Sequence, residues 1–248
     1  RPYPSLDFGL YGEPDLTLRD LLDHLEGRLA ERQAEVQCIF EKADPDYQFS
    51  LLTDGSADLA GIKGLVWRRG VEIVVNQPRP FIAELDDLPI PLHELLPLKK
   101  YRMPLIKGPF TFIVTSRGCT AGCTFCIKHV SYQYGVRVRS PRLMLEEMWQ
   151  LKKLGINNIH MYADLFTVSR EQVMDLCQRM IDERIEIKWT ANSRVDYVDE
   201  EMLTMMGKAG CHFMSWGIES ANEGVLRRAH KGIDIEKVER ALRWSKKA

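Results

Sequence analysis

Apolar residues in this chain recur with two periods, and the switches between them mark its elements. Phe112-Ile113-Val114-Thr115 is a short apolar run of strand type. Leu145, Met148, Trp149 and Leu151 then follow at helical spacing, between the Ser140-Pro141 start signal and a stop at Gly155. A second strand is expected over Asn158-Ile159-His160-Met161-Tyr162. The helix after it has Ser169 and Gln172 as a capping box and an apolar stripe of Val173, Leu176, Cys177, Met180 and Ile181. A third strand is expected from about Glu186 to Ala191, with a helix that opens at Asp199 and ends before Gly210. The fourth strand runs from Cys211 to Ile218, and two short helices follow, the second capped by Asp234. Alternating strands and helices predict a parallel sheet with crossover helices, an α/β fold.

The region before Phe110 has a different texture. Leu6 to Leu10 reads as a strand, Gly12-Glu13-Pro14 as a turn, and Leu18, Leu21, Leu22, Leu25 and Leu29 as one face of a helix. A lone unit of this kind cannot bury its apolar face, so it is expected to end something larger. Next comes a hairpin, with Leu65 and Trp67 alternating before Arg68-Arg69-Gly70 and Val71, Ile73 and Val75 after it. The proline-rich stretch from Gln77 to Pro91 excludes regular sheet or helix. The expected domains are therefore 1–40, a connector at 41–109, and a barrel-like unit at 110–248. The last contains four βα units at roughly 30 residues each, short of a complete barrel. With the opening on Arg1, this predicts a fragment of a longer protein.

Composition narrows the classes. Of 248 residues, 45% are hydrophobic and 28% charged, as in ordinary globular proteins. A formal charge of −1 supplies no bulk basic field, so nucleic acid is not an expected partner. No apolar run approaches the ~20 residues of a membrane span, and no signal peptide is evident. Six cysteines without a secretory feature predict a reducing, cytoplasmic setting.

The chemistry is concentrated in Cys119-Thr120-Ala121-Gly122-Cys123-Thr124-Phe125-Cys126, directly after the first barrel strand. Gly118 and Gly122 let the backbone fold closely there. Thiols this close together point to metal or cluster ligation rather than disulfides. A closed zinc site takes four ligands, and so does a closed four-iron cluster. No fourth cysteine is local, since Cys38, Cys177 and Cys211 lie in other elements, with Cys177 expected in the core. Three thiolates leave one iron of a four-iron cluster open; a zinc knuckle completed by His129 is the alternative.

The Cys-x3-Cys-x2-Cys spacing, with an aromatic before the last cysteine, resembles the radical S-adenosylmethionine (SAM) superfamily. That resemblance implies a [4Fe–4S] cluster on Cys119, Cys123 and Cys126, with SAM on the open iron through its amino and carboxylate groups. It also implies a partial (β/α)6 barrel, truncated here to about four units. In parallel α/β folds the site lies at the C-terminal ends of the strands. Phe125 is expected beside the adenine or as ordinary loop packing. Asp164 is expected either at the SAM site or as a helix-capping acid, Ala163 replacing the first of two acids common there. Arg194 is expected to bind the SAM carboxylate or to pair with Asp196. Glu219, in a Glu-Ser pair followed by Asn222-Glu223-Gly224-Val225-Leu226, is expected on the ribose hydroxyls or amino group of SAM. His129, His160 and His212 lie near strand ends, as proton carriers or structural residues. Arg137, Arg139 and Arg142, with Tyr132 and Tyr134, form a solvated face or meet an acidic substrate.

The order of the leading segments adds to the resemblance. A Gly-Glu-Pro turn, a leucine helix, a hairpin and Asp86-Asp87-Leu88-Pro89 resemble the Rossmann-like cobalamin-binding domain and linker that precede many radical SAM barrels, although no Asp-x-His-x-x-Gly motif is present. The runs Lys128 to Tyr134 and Arg137 to Pro141, with Leu6 to Leu18, resemble the family of anaerobic magnesium-protoporphyrin IX monomethyl ester oxidative cyclases. The implied partners are a small-molecule substrate such as a magnesium porphyrin, and an electron-donor protein such as a flavodoxin or ferredoxin. A cobalamin-dependent radical SAM methyltransferase is the close alternative, and a non-catalytic iron–sulfur or zinc module a further one. A tRNA methylthiotransferase would need a second three-cysteine set, which Cys38 alone does not supply.

Overall fold

The computed structural model describes residues 6–27, 58–103, 106–127 and 135–248. Leu29, Cys38, His129, Tyr132 and Tyr134 lie outside the described residues, as does the rest of the run 128–134. The chain divides into two compact units, Arg1–Asp87 and Leu88–Ala248.

In the first unit, β1 (Phe8–Leu10) leads through a turn with Gly12 at φ +78° into α1 (Asp15–Leu25). Strands β2 (Leu65–Arg69) and β3 (Glu72–Val75) form the expected hairpin, turned at Gly70 with φ +63°. β1 pairs antiparallel with β2, giving a sheet of order β1-β2-β3. The opening strand thus shares a sheet with the hairpin that sequence assigned to a connector, and the unit extends to Asp87. Leu65 and Trp67 face a small core with Leu21 and Ile62, as their alternation requires. Val71, Ile73 and Val75 do not: they are 97%, 53% and 64% exposed. The register places Val74 opposite Trp67, so Val74 is the β3 residue that packs inward. Asn76 anchors this core by accepting from Trp67 Nε1 at 3.0 Å and donating to the carbonyls of Leu59 and Ile62 at 2.7 and 2.8 Å.

The second unit contains β4 (Thr111–Val114), β5 (Ser116–Arg117), β6 (Arg137–Val138), α2 (Pro141–Lys153), β7 (Asn158–Tyr162) and α3 (Arg170–Asp182). It continues with β8 (Lys188–Ser193), α4 (Glu200–Lys208), β9 (Cys211–Trp216), α5 (Glu223–Arg228) and α6 (Ile235–Lys247). β4, β7, β8 and β9 form one parallel sheet in that order, and β5 pairs antiparallel with β6. This is the expected arc of βα units. One sheet face, with Ile113, Ile159, Met161, Trp189 and Ala191, is buried with Met148, Leu176, Met180 and Met206 in the main core. Each of the Ile, Leu and Met side chains contributes about 1.5–3 kcal/mol on burial. Trp189 satisfies its indole N–H on the Ala209 carbonyl at 2.9 Å.

Helix starts follow their cap residues. Ser140, Ser169, Asp199, Asn222 and Asp234 each accept the backbone N–H three positions on. The capping box at Ser169 is only half made, because the Gln172 amide donates instead to the Arg139 carbonyl at 2.5 Å. That carbonyl is sequestered from water, where an unmet acceptor costs more than a helix-end N–H open to solvent. β8 begins at Lys188 rather than Glu186, and α6 runs 13 residues rather than forming a short helix.

Candidate functional site

The cysteine loop leaves β5 and is closed at its base by the β5–β6 ribbon, Ser116 opposite Val138 and Arg117 opposite Arg137. At its first turn Gly118 has φ +92°, and a Cβ there would lie 1.9 Å from the Gly135 carbonyl oxygen. Only glycine fits both the conformation and the space. Successive loop residues are then held from the ends of different elements. Gly118 N–H donates to Asp164 Oδ2, just past β7, at 2.7 Å. Thr120 Oγ1 and Tyr197 OH, beyond β8, share a hydrogen bond of 2.7 Å. Arg194 Nη1, at the end of β8, donates to Cys123 Sγ at 3.3 Å. Thr124 N–H donates to the Ala229 carbonyl, past α5, at 3.1 Å. Lys231 Nζ lies 5.7 Å from the centroid of the Phe125 ring. The loop is therefore built where parallel strands end, as the fold class requires.

Cys123 is buried, and Cys119 and Cys126 are partly so. Among the described residues, no three His, Cys, Asp or Glu side chains converge on one point that could hold a single metal ion. A single zinc ion would need thiolates within about 4 Å of one another, given Zn–S bonds near ~2.3 Å, whereas a four-iron cluster takes one thiolate per iron. The residues present fit such a cluster by donor type and surroundings: three thiols on one glycine-bent loop, one receiving a guanidinium N–H. Cys177 and Cys211 belong elsewhere. Burial pushes both thiols up to about 12, and Cys177 sits in the main core.

The four residues expected around SAM are brought to this same end of the sheet, each with its own partners. Asp164 serves the start of the cysteine loop rather than a helix cap. Arg194 forms a two-point pair with Asp196, Nε to Oδ1 at 2.9 Å and Nη2 to Oδ2 at 2.8 Å, and its Nη2 also donates to the Lys231 carbonyl. Burial alone would lower its pKa, but Asp196, Cys123 and Tyr197 raise it, so the guanidinium is firmly charged. Glu219 adopts a left-handed φ of +70° that a non-glycine residue takes only under constraint. Its Oε1 accepts from Lys231 Nζ at 3.0 Å, and the carboxylate is 41% exposed. Gly217 makes room for this pair: a Cβ there would lie 3.1 Å from Lys231 Nζ. Phe125 is 57% exposed, its ring available for stacking.

The sheet face opposite the main core bears Phe112, His160 and Tyr162, whose rings meet edge to face at centroid distances of 5.7 and 6.4 Å. His160 Nδ1 is 2.8 Å from Thr190 Oγ1, and burial lowers its pKa, favouring the neutral ring. His212 is exposed. Sequence reasoning missed Lys231 and Tyr197. A lysine after a short helix and a tyrosine ahead of one carry no spacing signal. It also placed Arg139 on a solvated face, whereas Arg139 is buried and bonded to Glu147 Oε2 at 2.5 Å, with His93 on Glu147 Oε1 at 2.8 Å. A buried glutamate draws both side chains inward; Arg142 remains exposed.

Comparison with known proteins gives the family and the fold. The profile of the radical SAM superfamily matches residues 113–248. A protein of Pyrococcus horikoshii described as an uncharacterized methyltransferase is 33% identical over 100% of this chain and 48% of its own length. The anaerobic magnesium-protoporphyrin IX monomethyl ester cyclase of a Synechocystis species is 27% identical over 97% of this chain and 42% of its own. The chain thus spans about half the length of these curated relatives. Among solved structures, the radical SAM methyltransferase TsrM of Kitasatospora setae, with cobalamin and a [4Fe–4S] cluster bound, shares the fold at a TM-score of 0.65 and 18% identity, over 97% of this chain and 45% of that one. This chain, an α/β protein with a three-cysteine loop at the ends of a parallel sheet, belongs to the radical SAM superfamily. The cofactors that this membership brings are a [4Fe–4S] cluster and SAM.

Proposed function

We propose that this chain holds a [4Fe–4S] cluster on Cys119, Cys123 and Cys126 and binds SAM beside it, in a cobalamin-dependent enzyme acting on a small molecule. The observation that carries this reading is the cysteine loop itself, fastened to Asp164 past β7, to Arg194 and Tyr197 past β8, and to Ala229 past α5. A cluster held by Cys119, Cys123 and Cys126 would, when bound, offer an iron without a protein ligand for SAM and the electron for cleaving its sulfur–carbon bond. The chain's own residues bind and orient. Glu219 offers a half-exposed carboxylate to the hydroxyl or amino groups of SAM, and Lys231 holds it in place. Phe125 presents an open ring for the adenine. Asp164 fixes the loop's first turn.

Cobalamin rests on the TsrM structure that holds it and on the order of segments. The described residues of the first unit form an antiparallel sheet and offer no parallel strand ends on which a corrinoid face is built, so no step is assigned to it here. Methyl transfer is the reaction favoured by the 33% relative that covers the whole chain. Oxidative cyclisation of a magnesium porphyrin is the second reading, favoured by the 27% relative over 97% of the chain and by the aromatic row Phe112, His160 and Tyr162. A flavodoxin or ferredoxin as donor and a cytoplasmic setting complete the proposal.

Anaerobic reconstitution with iron and sulfide is the test. The loaded protein is expected to give a reduced-cluster EPR signal and to release 5′-deoxyadenosine or S-adenosylhomocysteine from SAM. Replacing all three cysteines by serine should abolish both; stoichiometric iron and sulfide on that variant would overturn the assignment. Methyl-labelled SAM then separates the two readings, since the label enters the product only in methyl transfer.

A further inference from the structure

Arg194 is expected either to bind the SAM carboxylate or to pair with Asp196; it pairs with Asp196, and the geometry gives its guanidinium further work. A guanidinium can meet a carboxylate with two parallel N–H bonds along one of its edges. The Nε/Nη2 edge is already taken by both oxygens of Asp196, at 2.9 and 2.8 Å. The Nη1/Nη2 edge is taken by Cys123 Sγ at 3.3 Å and by the Lys231 carbonyl. The residue is 8% exposed, and Tyr197 covers it with its ring 5.7 Å away. No edge is left for a second carboxylate. A buried cation is instead aimed at a sulfur of the expected cluster, oriented from behind by a carboxylate.

Hydrogen bonds to ligand sulfurs and local charge are among the factors that set the potential of an iron–sulfur cluster. An N–H donated to a thiolate stabilises the reduced, more negative cluster over the oxidised one, and so raises the potential. Asp196 works in the opposite direction by partly neutralising the donor. We propose that Arg194 is a positioning residue for the cluster, which fixes Cys123 and sets the cluster's reduction potential, with Asp196 as its counterweight, rather than a ligand of SAM. This rests on the cluster assignment above.

The experiment is an EPR-monitored redox titration, with dithionite as reductant and without SAM, on the reconstituted chain and its R194K, R194Q and D196N variants at matched iron and sulfide content. The midpoint should become more negative in the order unmodified protein, R194K, R194Q, and should move the other way in D196N. Should R194Q fail to hold a cluster, R194K against the unmodified protein decides. Coincident midpoints overturn the proposal. So does an unchanged midpoint in R194Q together with lost SAM affinity by calorimetry, which would return Arg194 to the substrate. Failure of the unmodified protein to load a four-iron cluster at all would instead sink the assignment on which both rest.

Discussion

At the scale of single residues the site is decided by space and charge. Gly118 is the sharpest case, because its backbone is left-handed and a methyl group there would penetrate the Gly135 carbonyl. Gly118→Ala should therefore leave the sheet folded, by circular dichroism, while cutting iron and sulfide incorporation several-fold. Full loading would show that the loop tolerates a shifted turn. Glu219 offers a second test. Glu219→Gln should keep the cluster and weaken SAM binding by about 1–3 kcal/mol, the usual loss for a charge-assisted hydrogen bond; unchanged affinity by calorimetry would remove Glu219 from the site. The remaining thiols make a third. Burial holds Cys177 and Cys211 near 12, so at pH 8 almost none is thiolate. Iodoacetamide on the native, cluster-free chain should then label the loop cysteines in preference to these two, as read by peptide mass spectrometry.

At the scale of elements, the strands and helices of the second unit were legible in the sequence because caps and apolar periods agree there. Ser140-Pro141, Asp199 and Asp234 start helices where expected. Legibility failed where a buried partner from another element decides. Periodicity cannot show that Gln172 turns from its own helix end to the Arg139 carbonyl, nor that the 1% exposed Glu147 of α2 draws in both Arg139 and His93. In β3, alternation located the strand but not its face, since residues of both parities are apolar and only the register with β2 selects Val74. The buried Glu147 network is a stability element. Glu147→Ala would strand the buried Arg139 guanidinium and take away the ring partner of His93, and should cost about 3–5 kcal/mol of unfolding free energy, as removal of one member of a buried ion pair does. A denaturant midpoint that hardly moves would mean that water reaches this pocket.

At the scale of the whole molecule, the three loop cysteines, Asp164, Arg194, Tyr197, Glu219 and Lys231 are spread along the sequence and yet all belong to the second compact unit. The fold class read from the sequence makes the ends of the strands the place to look, and Asp164, Arg194 and Glu219 are named on that ground. It could not show that they meet one another through the cysteine loop, because that depends on how loops from separate strands fold together. A loop tied at Gly118 to the end of β7, at Thr120 and Cys123 to the end of β8, and at Thr124 to the end of α5 should respond to its cofactor as one body. Groups that bind only the folded loop stabilise it by mass action, and local opening of its ties becomes rarer. Hydrogen exchange, compared between the reconstituted and the iron-free chain under anaerobic conditions, should slow together over 116–127, 192–197 and 229–233. Residues 65–75 of the first unit should exchange at unchanged rates. Slowing restricted to 116–127 would show that the ties to Arg194 and Ala229 carry no energy, and that the loop holds its cluster alone.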